Sequence, residues 1–259
     1  MAGFLFDKVV FGPVYSRRLG VSLGINLLPD NSKYCNFNCI YCECGWTEIK
    51  KGEKIILPKR EKLIARLTEK LKELKGTVNE PDTITFAGNG EPTVHPDFAA
   101  IIDDTINIRN QYAPKAKISV LSNASMLHKP VVVEALKKIE LNIQKLDSGI
   151  EKTFYLINQP AAGISFKKIV DGLLAFEGKL ILQTLFFRGE CNGQYSDNTT
   201  TEELDAWLHL VKKIQPESVM IYTFERGTPA DNLEKLSEDE LKAIAKMVEQ
   251  AGFKTAVFA

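Results

Sequence analysis

The chain has 259 residues, 44% of them hydrophobic and 25% charged, a composition that supports one α/β domain with a substantial core and excludes a disordered or fibrous protein. Lys plus Arg number 33 and Asp plus Glu number 33, so no overall positive field announces a nucleic-acid binder, although a local basic patch is still allowed. The amino-terminal "MAGFLFDKVVFGPVYSRR" breaks its short apolar run with Asp7 and Pro13 and reads neither as a signal peptide nor as a targeting helix. No apolar run approaches the roughly 18 residues of a membrane span. These features predict a cytoplasmic protein with no membrane association. In that reducing compartment clustered thiols point to a metal site before a disulfide framework.

The first strand-like run is "VSLGINLL" from residue 21, and the loop at residues 33–46, "KYCNFNCIYCECGW", follows it. Pro58 then opens a helix with Leu63, Ile64, Leu67, Leu71 and Leu74 on one face and Gly76 as its stop. Further short runs begin at 82 ("DTITFAG"), 117 ("KISVLSN"), 141 ("LNIQKLD") and 179 ("KLILQTLFF"). Thr200 with Glu203 forms the pattern of a capping box ahead of Leu204, Trp207, Leu208, Val211 and Ile214. "SVMIYTF" starts at 218, Ser237 with Glu240 repeats the capping box before Leu241, Ile244, Met247 and Val248, Gly252 ends that helix, and "KTAVF" is a seventh run. There is no internal repeat or Pro/Gly/Ser linker, so the prediction is a single domain over 1–259 built of stacked βα units. Six or seven such units suit a parallel barrel, complete or partial, and suit an open doubly wound sheet nearly as well. Several runs end in small or polar residues, as in "FAGNGE", "VLSNAS", "QKLDSG" and "YTFERG". Ligands of α/β folds gather at such carboxyl ends.

Cys35, Cys39 and Cys42 read C-x3-C-x2-C, spaced so that one short loop can wrap three thiolates around a single centre. A cubane iron–sulfur cluster has four irons, and three protein thiolates leave one iron open. A structural zinc site with Cys44 as fourth ligand is an alternative, though C-x-C directly after C-x2-C makes a cramped tetrahedron. Three unliganded buried thiols and a plain ferredoxin are further alternatives, the last requiring none of the long βα remainder.

"CNFNCIYC" resembles the cluster motif of the radical S-adenosylmethionine (radical SAM) superfamily. "GPVYSRRLGVSLGIN", "FAGNGEPTVHPDF" and "KLDSGIEKTFYLINQP" are similar to the corresponding segments of its wyosine-synthase-related branch. The resemblance spans about residues 12–160 and implies a partial (β/α)6 TIM-like barrel. It also implies one [4Fe–4S] cluster on Cys35, Cys39 and Cys42, S-adenosyl-L-methionine chelated at the open iron, and an external one-electron reductant of flavodoxin or ferredoxin type. The implied chemistry is reductive cleavage of S-adenosylmethionine to a 5′-deoxyadenosyl radical that removes hydrogen from a substrate, an oxidoreductase or lyase-like reaction.

By the same resemblance, Gly88, Gly90 and Glu91 grip the methionine end of the cofactor, with Asn89 standing where the family often has glycine. Ser122 and Asn123 serve ribose or carboxylate, although "SNAS" also reads as an Asx turn. Tyr41 covers the cluster and adenine, and Asp147, Gln183 and Tyr222 are further cofactor candidates. Lys145 shares a strand face with Asp147, can pair with it, and is also a candidate substrate contact. Arg17 and Arg18, before the first strand, are candidates to clamp a phosphate or carboxylate. Arg188, Glu190 and Arg226, past the fifth and sixth strands, are expected at the barrel mouth, where substrate enters. His95 reads as the start of a helix, and His128 and His209 have no supporting constellation. Cys44 and Cys191 are too few for a second cluster, which disfavours tricyclic-base synthesis on tRNA and leaves a protein, a peptide or a small molecule as substrate. A non-catalytic iron–sulfur or zinc protein, structural or redox, is the alternative function.

Overall fold

The structure is a computed structural model that describes residues 3–48 and 55–259. Its main sheet has eight strands in the order β1-β2-β3-β4-β5-β6-β9-β11. They are β1 (Val10–Ser16), β2 (Gly20–Ile25), β3 (Thr83–Phe86), β4 (Lys117–Ser122), β5 (Leu141–Lys145), β6 (Ile181–Leu185), β9 (Ser218–Tyr222) and β11 (Thr255–Phe258). From β2 onward every pairing is parallel, while β1 joins β2 antiparallel. The sheet therefore curls into the expected partial (β/α)6 barrel, extended by a seventh parallel strand and an antiparallel edge.

All seven sequence runs became strands, most of them buried on both faces as parallel strands covered by helices are. Ile84 and Phe86 of β3 and Leu23 and Ile25 of β2 are wholly buried on the face that meets α1 (Arg60–Leu74), α2 (Phe98–Tyr112) and α3 (Pro130–Leu136). The opposite face lines the barrel lumen. Alternation puts Ser22, Thr83 and Thr85 there, and Ser22 Oγ lies 2.7 Å from Thr85 Oγ1. The lumen floor is a small apolar cluster of Leu19, Ile143, Ile181 and Met220.

Four strands escaped the sequence reading. β1 carries the exposed Val14 and Tyr15 and shows no buried run. A second sheet, β10-β7-β8, is made of β7 (Phe187–Cys191), β8 (Gln194–Asp197) and β10 (Asn232–Lys235). The run from 179 is thus two strands, ending β6 at Leu185 and beginning β7 at Phe187.

The remaining helices are α4 (Glu151–Asn158), α5 (Phe166–Leu174), α6 (Thr201–Ile214) and α7 (Glu238–Gln250). Ser237 and Glu240 form the full capping box of α7. The Thr200–Glu203 box is only half made. Thr200 accepts from Glu203 N, but the Glu203 carboxylate turns away to accept from Gly149 N at 3.0 Å. An orphan amide at the start of α4 outcompetes the local partner. Trp207 of α6 is buried against Phe186, and its Nε1 donates to Leu146 O at 3.2 Å and to Thr184 Oγ1 at 3.1 Å. Trp207→Phe is expected to cost about 1–3 kcal/mol in urea unfolding, because the carbonyl after β5 loses a buried donor.

The Glu240 carboxyl is held down at about 2, first by the Ser237 backbone N–H and hydroxyl and then by Arg188. Its contribution to stability is full above the ordinary value near 4.5 and is lost as pH falls toward about 2. Ser237→Ala should flatten this limb of the stability curve in unfolding measurements between pH about 2 and about 6.

Candidate active site

A cavity of about 600 Å³ opens at the carboxyl ends of the parallel strands and continues into the lumen. Cys35, Cys39, Cys42 and Cys44 all reach its wall. The loop that carries them is pinned on two sides. Tyr34 forms a parallel bridge with Gly90, and Phe37 an antiparallel one with Pro160. Ile40 N donates to Ile157 O at 3.0 Å, and Asn38 N to Asn158 O at 3.0 Å. Gly90 takes φ +139°, and a Cβ there would lie 2.0 Å from Tyr34 O, so only glycine permits the first bridge. Asn89 causes no difficulty at its position. Its buried amide accepts from Phe6 N at 2.8 Å and donates to Phe6 O and Pro29 O, all away from the cavity.

Each of the three motif thiols has donors aimed at it. Cys35 Sγ receives Phe37 N at 3.4 Å and Asn123 Nδ2 at 3.6 Å, and Cys39 Sγ receives Asn158 Nδ2 at 3.4 Å. The Cys44 thiol donates to Gly88 O at 3.4 Å, and the adjoining Cys44, with help from Lys33 and against the effect of burial, lowers the Cys42 thiol to about 5. Burial raises the Cys35 and Cys39 thiols, with Glu91 adding to the shift at Cys35. Lys33 is buried, with its Nζ on Gly45 O at 2.8 Å. Burial disfavours that ammonium, but Cys42, Cys35 and Cys39 together reverse the effect and hold it charged. A buried cation facing three thiols, of which Cys42 is the one favoured as thiolate, fits an iron–sulfur centre on this loop. Among the described residues no three Cys, His, Asp or Glu side chains converge on one point as a single bound ion demands.

Glu91 is buried, and desolvation raises its carboxyl despite several hydrogen bonds. Its Oε1 accepts from Thr93 N and Oγ1, and its Oε2 from Asn123 N at 2.6 Å, tying the end of β3 to the end of β4. Asn123 closes the expected Asx turn, accepting from Ser125 N at 3.0 Å, while its Nδ2 reaches Asn36 Oδ1 of the cysteine loop at 3.0 Å. Gly88, Gly90, Glu91, Ser122, Asn123, Tyr41, Gln183, Lys145 and Tyr222 all face the cavity.

Asp147 lies behind that wall. Its side chain is fully buried, with Oδ1 accepting from Leu185 N at 3.1 Å and Oδ2 from Asn158 Nδ2 at 2.8 Å and from the Tyr41 hydroxyl. Lys145 Nζ is 3.6 Å from Oδ2. Burial opposes the Lys145 ammonium, but Asp147, Tyr222 and Cys39 raise its pKa overall.

Two of the expected substrate residues are elsewhere. Arg188 and Glu190 belong to β7 of the second sheet and do not reach the cavity, and Arg188 pairs with Glu240 at 2.5 Å. They were expected just past the fifth strand because β6 and β7 read as one run. Arg17 is half exposed at the cavity rim and pairs with Glu225 at 2.8 Å. Arg226 pairs with Glu43 at 3.2 Å and lies over the Phe4 ring. Arg18 points into the lumen. His95 starts a helical segment as expected, its Nδ1 accepting from Asp97 N, so Nε2 donates to Pro58 O. Lys33 and Asn158 were missed. Lys33 adjoins the cysteine motif and a buried cation beside thiols is a signal, whereas nothing in the helical pattern distinguishes Asn158.

An open parallel barrel with a three-cysteine loop over the carboxyl ends of its strands defines a class of cofactor-dependent enzyme. Residues 32–191 match the radical SAM superfamily, and the chain belongs to it. It is 34% identical over 238 residues to a UPF0026 protein of Helicobacter pylori, covering 90% of this chain and 71% of that protein. It is 35% identical over 249 residues to a Brachyspira hyodysenteriae protein named GTPase Obg, covering 95% of this chain but spanning only 34% of that protein. Solved structures share the fold. TYW1 with a lysine-pyruvate adduct bound has a TM-score of 0.60 at 18% identity, over 90% of this chain and 75% of that one. Streptococcus suis SuiB bound to the precursor peptide SuiA has a TM-score of 0.65 at 14% identity, over 91% and 48%. Among the described residues no helix is long and apolar enough to cross a membrane.

Asp147→Asn should destabilise the protein by about 3–5 kcal/mol, since Lys145 is then left buried without its counter-charge. Asn158→Ala should cost about 1–3 kcal/mol. Urea unfolding of both variants beside the parent measures these losses.

Proposed function

We propose that this chain is a single-domain radical SAM enzyme that carries one [4Fe–4S] cluster on Cys35, Cys39 and Cys42 and cleaves S-adenosyl-L-methionine reductively. The observation that carries the reading is the buried Lys33 ammonium beside three thiols that each accept donors at the cavity mouth. Cys35, Cys39 and Cys42 would hold the cluster, which together with S-adenosylmethionine would supply one-electron reductive cleavage and hydrogen-atom abstraction chemistry. The residues of the chain do the remaining work. Tyr41 roofs the cavity beside Cys39 and is held there by Asp147 and Asn158. Gly88, Gly90 and Glu91, with Ser122 and Asn123, form the wall that receives the methionine end. Gln183 and Tyr222 line the deeper lumen. The buried walls exclude water and oxygen from the reacting centre. The electron comes from an external flavodoxin- or ferredoxin-type donor in the reducing cytoplasm, where free thiols persist.

The substrate is a small molecule or a peptide. The exact balance of 33 basic and 33 acidic residues gives no overall field for tRNA. The contact between Cys44 and Cys42 is the feature that favours the non-catalytic zinc reading. Anaerobic reconstitution separates the two. About four irons and four sulfides per chain, with release of methionine and 5′-deoxyadenosine under reduction, are expected, and Cys42→Ala should abolish both. Tetrahedral zinc bound through Cys44, or cleavage that survives Cys42→Ala, would overturn the assignment.

A further inference from the structure

Two cations converge in the lumen below the cysteine loop. Lys145 at the end of β5 is the register partner of Gln183 on β6, and its Nζ lies 3.1 Å from the Tyr222 hydroxyl. Arg18 comes from the opposite end, the turn between β1 and β2. Its guanidinium carbon lies 4.7 Å from the centre of the Tyr222 ring, and its Nη1 donates to Gln183 Oε1 at 3.3 Å. Both cations therefore touch the same tyrosine and the same strand pair from opposite directions, and both face the cavity.

Their charges are not balanced. Among the described residues Asp147 is the one carboxylate that pairs with Lys145, at 3.6 Å, and it already accepts from Leu185 N, Asn158 and Tyr41. Among the described residues Arg18 pairs with no carboxylate, and the side-chain acceptor it meets is the neutral Gln183 amide. Arg17, its neighbour, has Glu225. A guanidinium fork and an ammonium directed into a partly buried cavity, with one committed counter-charge between them, leave an excess of positive charge that a bound anion would neutralise. The adjoining walls are apolar, from Leu121, Leu185 and Phe258.

Resting on the reading that this cavity is a radical SAM active site, we propose that its substrate is a small organic anion. A carboxylate or phosphate group docks between Arg18 and Lys145, with the Gln183 amide and the Tyr222 hydroxyl beside it and the substrate's apolar portion against Leu121 and Leu185. Arg18 selects for the charge, and its planar fork suits either group.

The test uses the full chain, reconstituted with iron and sulfide and saturated with S-adenosylmethionine. Calorimetric titration compares butyrate with its neutral isostere butyramide, and with inorganic phosphate, at matched ionic strength. Butyrate should bind measurably tighter than butyramide. Arg18→Gln should weaken the anion by about tenfold or more, the loss expected for a charge-assisted pair, and Arg18→Lys should recover part of it. Phosphate binding tighter than butyrate, with the same dependence on Arg18, supports the site and assigns it a phosphorylated substrate. Equal binding of butyrate and butyramide, or an Arg18→Gln variant that binds butyrate as the parent does, overturns the proposal. So does butyrate binding, through Arg18, to the chain free of S-adenosylmethionine that is lost once the cofactor saturates it, which would give the two cations to the cofactor's own carboxylate. A chain that cleaves S-adenosylmethionine yet fails to discriminate the isosteres refutes the anion site alone. One that binds butyrate through Arg18 but takes up neither iron nor S-adenosylmethionine refutes the catalytic reading and supports the anion site.

Discussion

The buried carboxylate of Asp147 joins four separate parts of this molecule. A carboxylate with no exposed side-chain surface is tolerated only when its lone pairs are filled and its charge opposed. Here the donors come from four separate places: Leu185 on β6, Asn158 at the end of α4, Tyr41 in the cysteine loop and, more distantly, Lys145 on β5. The backbone carbonyl of the same residue accepts from Asn198 at 2.7 Å. Satisfying one charge therefore fixes the roof of the cavity, the third cation of the site and two strand ends relative to one another. Asn158 extends the network to Cys39 through its amide, so the position of a motif sulfur depends on a helix more than a hundred residues away in sequence.

The cysteine loop shows the same economy. Its spacers are not interchangeable filler between ligands. Asn36 donates to Ser125 Oγ at 2.7 Å and accepts from Asn123, while Asn38 Oδ1 accepts from Thr47 N at 2.8 Å. Phe37 is buried edge-on against Phe154 of α4. A loop lacking regular structure must find partners for its backbone and polar side chains outside itself, and these residues find them in the ends of β3, β4 and α4. The three thiols are thereby presented at one cavity mouth by contacts that would exist without any bound group.

Much of this was legible in the sequence, and the reasons differ from element to element. The seven parallel strands were visible because burial leaves short runs rich in apolar and β-branched residues. β1, β7, β8 and β10 were not, because they are short or solvent-exposed and show no buried run: β1 and β8 pair with adjacent strands in hairpins, and β10 pairs with β7, remote in the chain. The Ser237 capping box reads correctly from local pattern, whereas the Thr200 box does not, since a distant amide at Gly149 takes the Glu203 carboxylate. At the site, the cysteine motif and the glycine-rich turn could be read from residue type and spacing. The depth of Asp147, the burial of Lys33 and the reach of Asn158 could not, because each is a property of packing between segments.

The antiparallel edge explains how one end of the lumen acquires charge. Parallel strands bring their functional side chains to the carboxyl ends, and a sheet of β2 to β11 alone would have an apolar floor of Ile143, Ile181 and Met220. β1 folds back along β2, so its turn delivers two consecutive arginines to the opposite end of the barrel. Adjacent residues in a tight turn point apart, and these two do. Arg17 reaches outward across the open seam to Glu225 and the Ala259 carbonyl, beyond β9 and β11, while Arg18 turns inward to Gln183 and Tyr222. Arg18 thus meets the Tyr222 ring and Gln183 from the β1–β2 turn, while Lys145 meets the Tyr222 hydroxyl from the carboxyl end of β5, over the Tyr41 ring of the cysteine loop. A lumen with sulfur at its mouth and two cations against one tyrosine follows from that hairpin together with the end of β5.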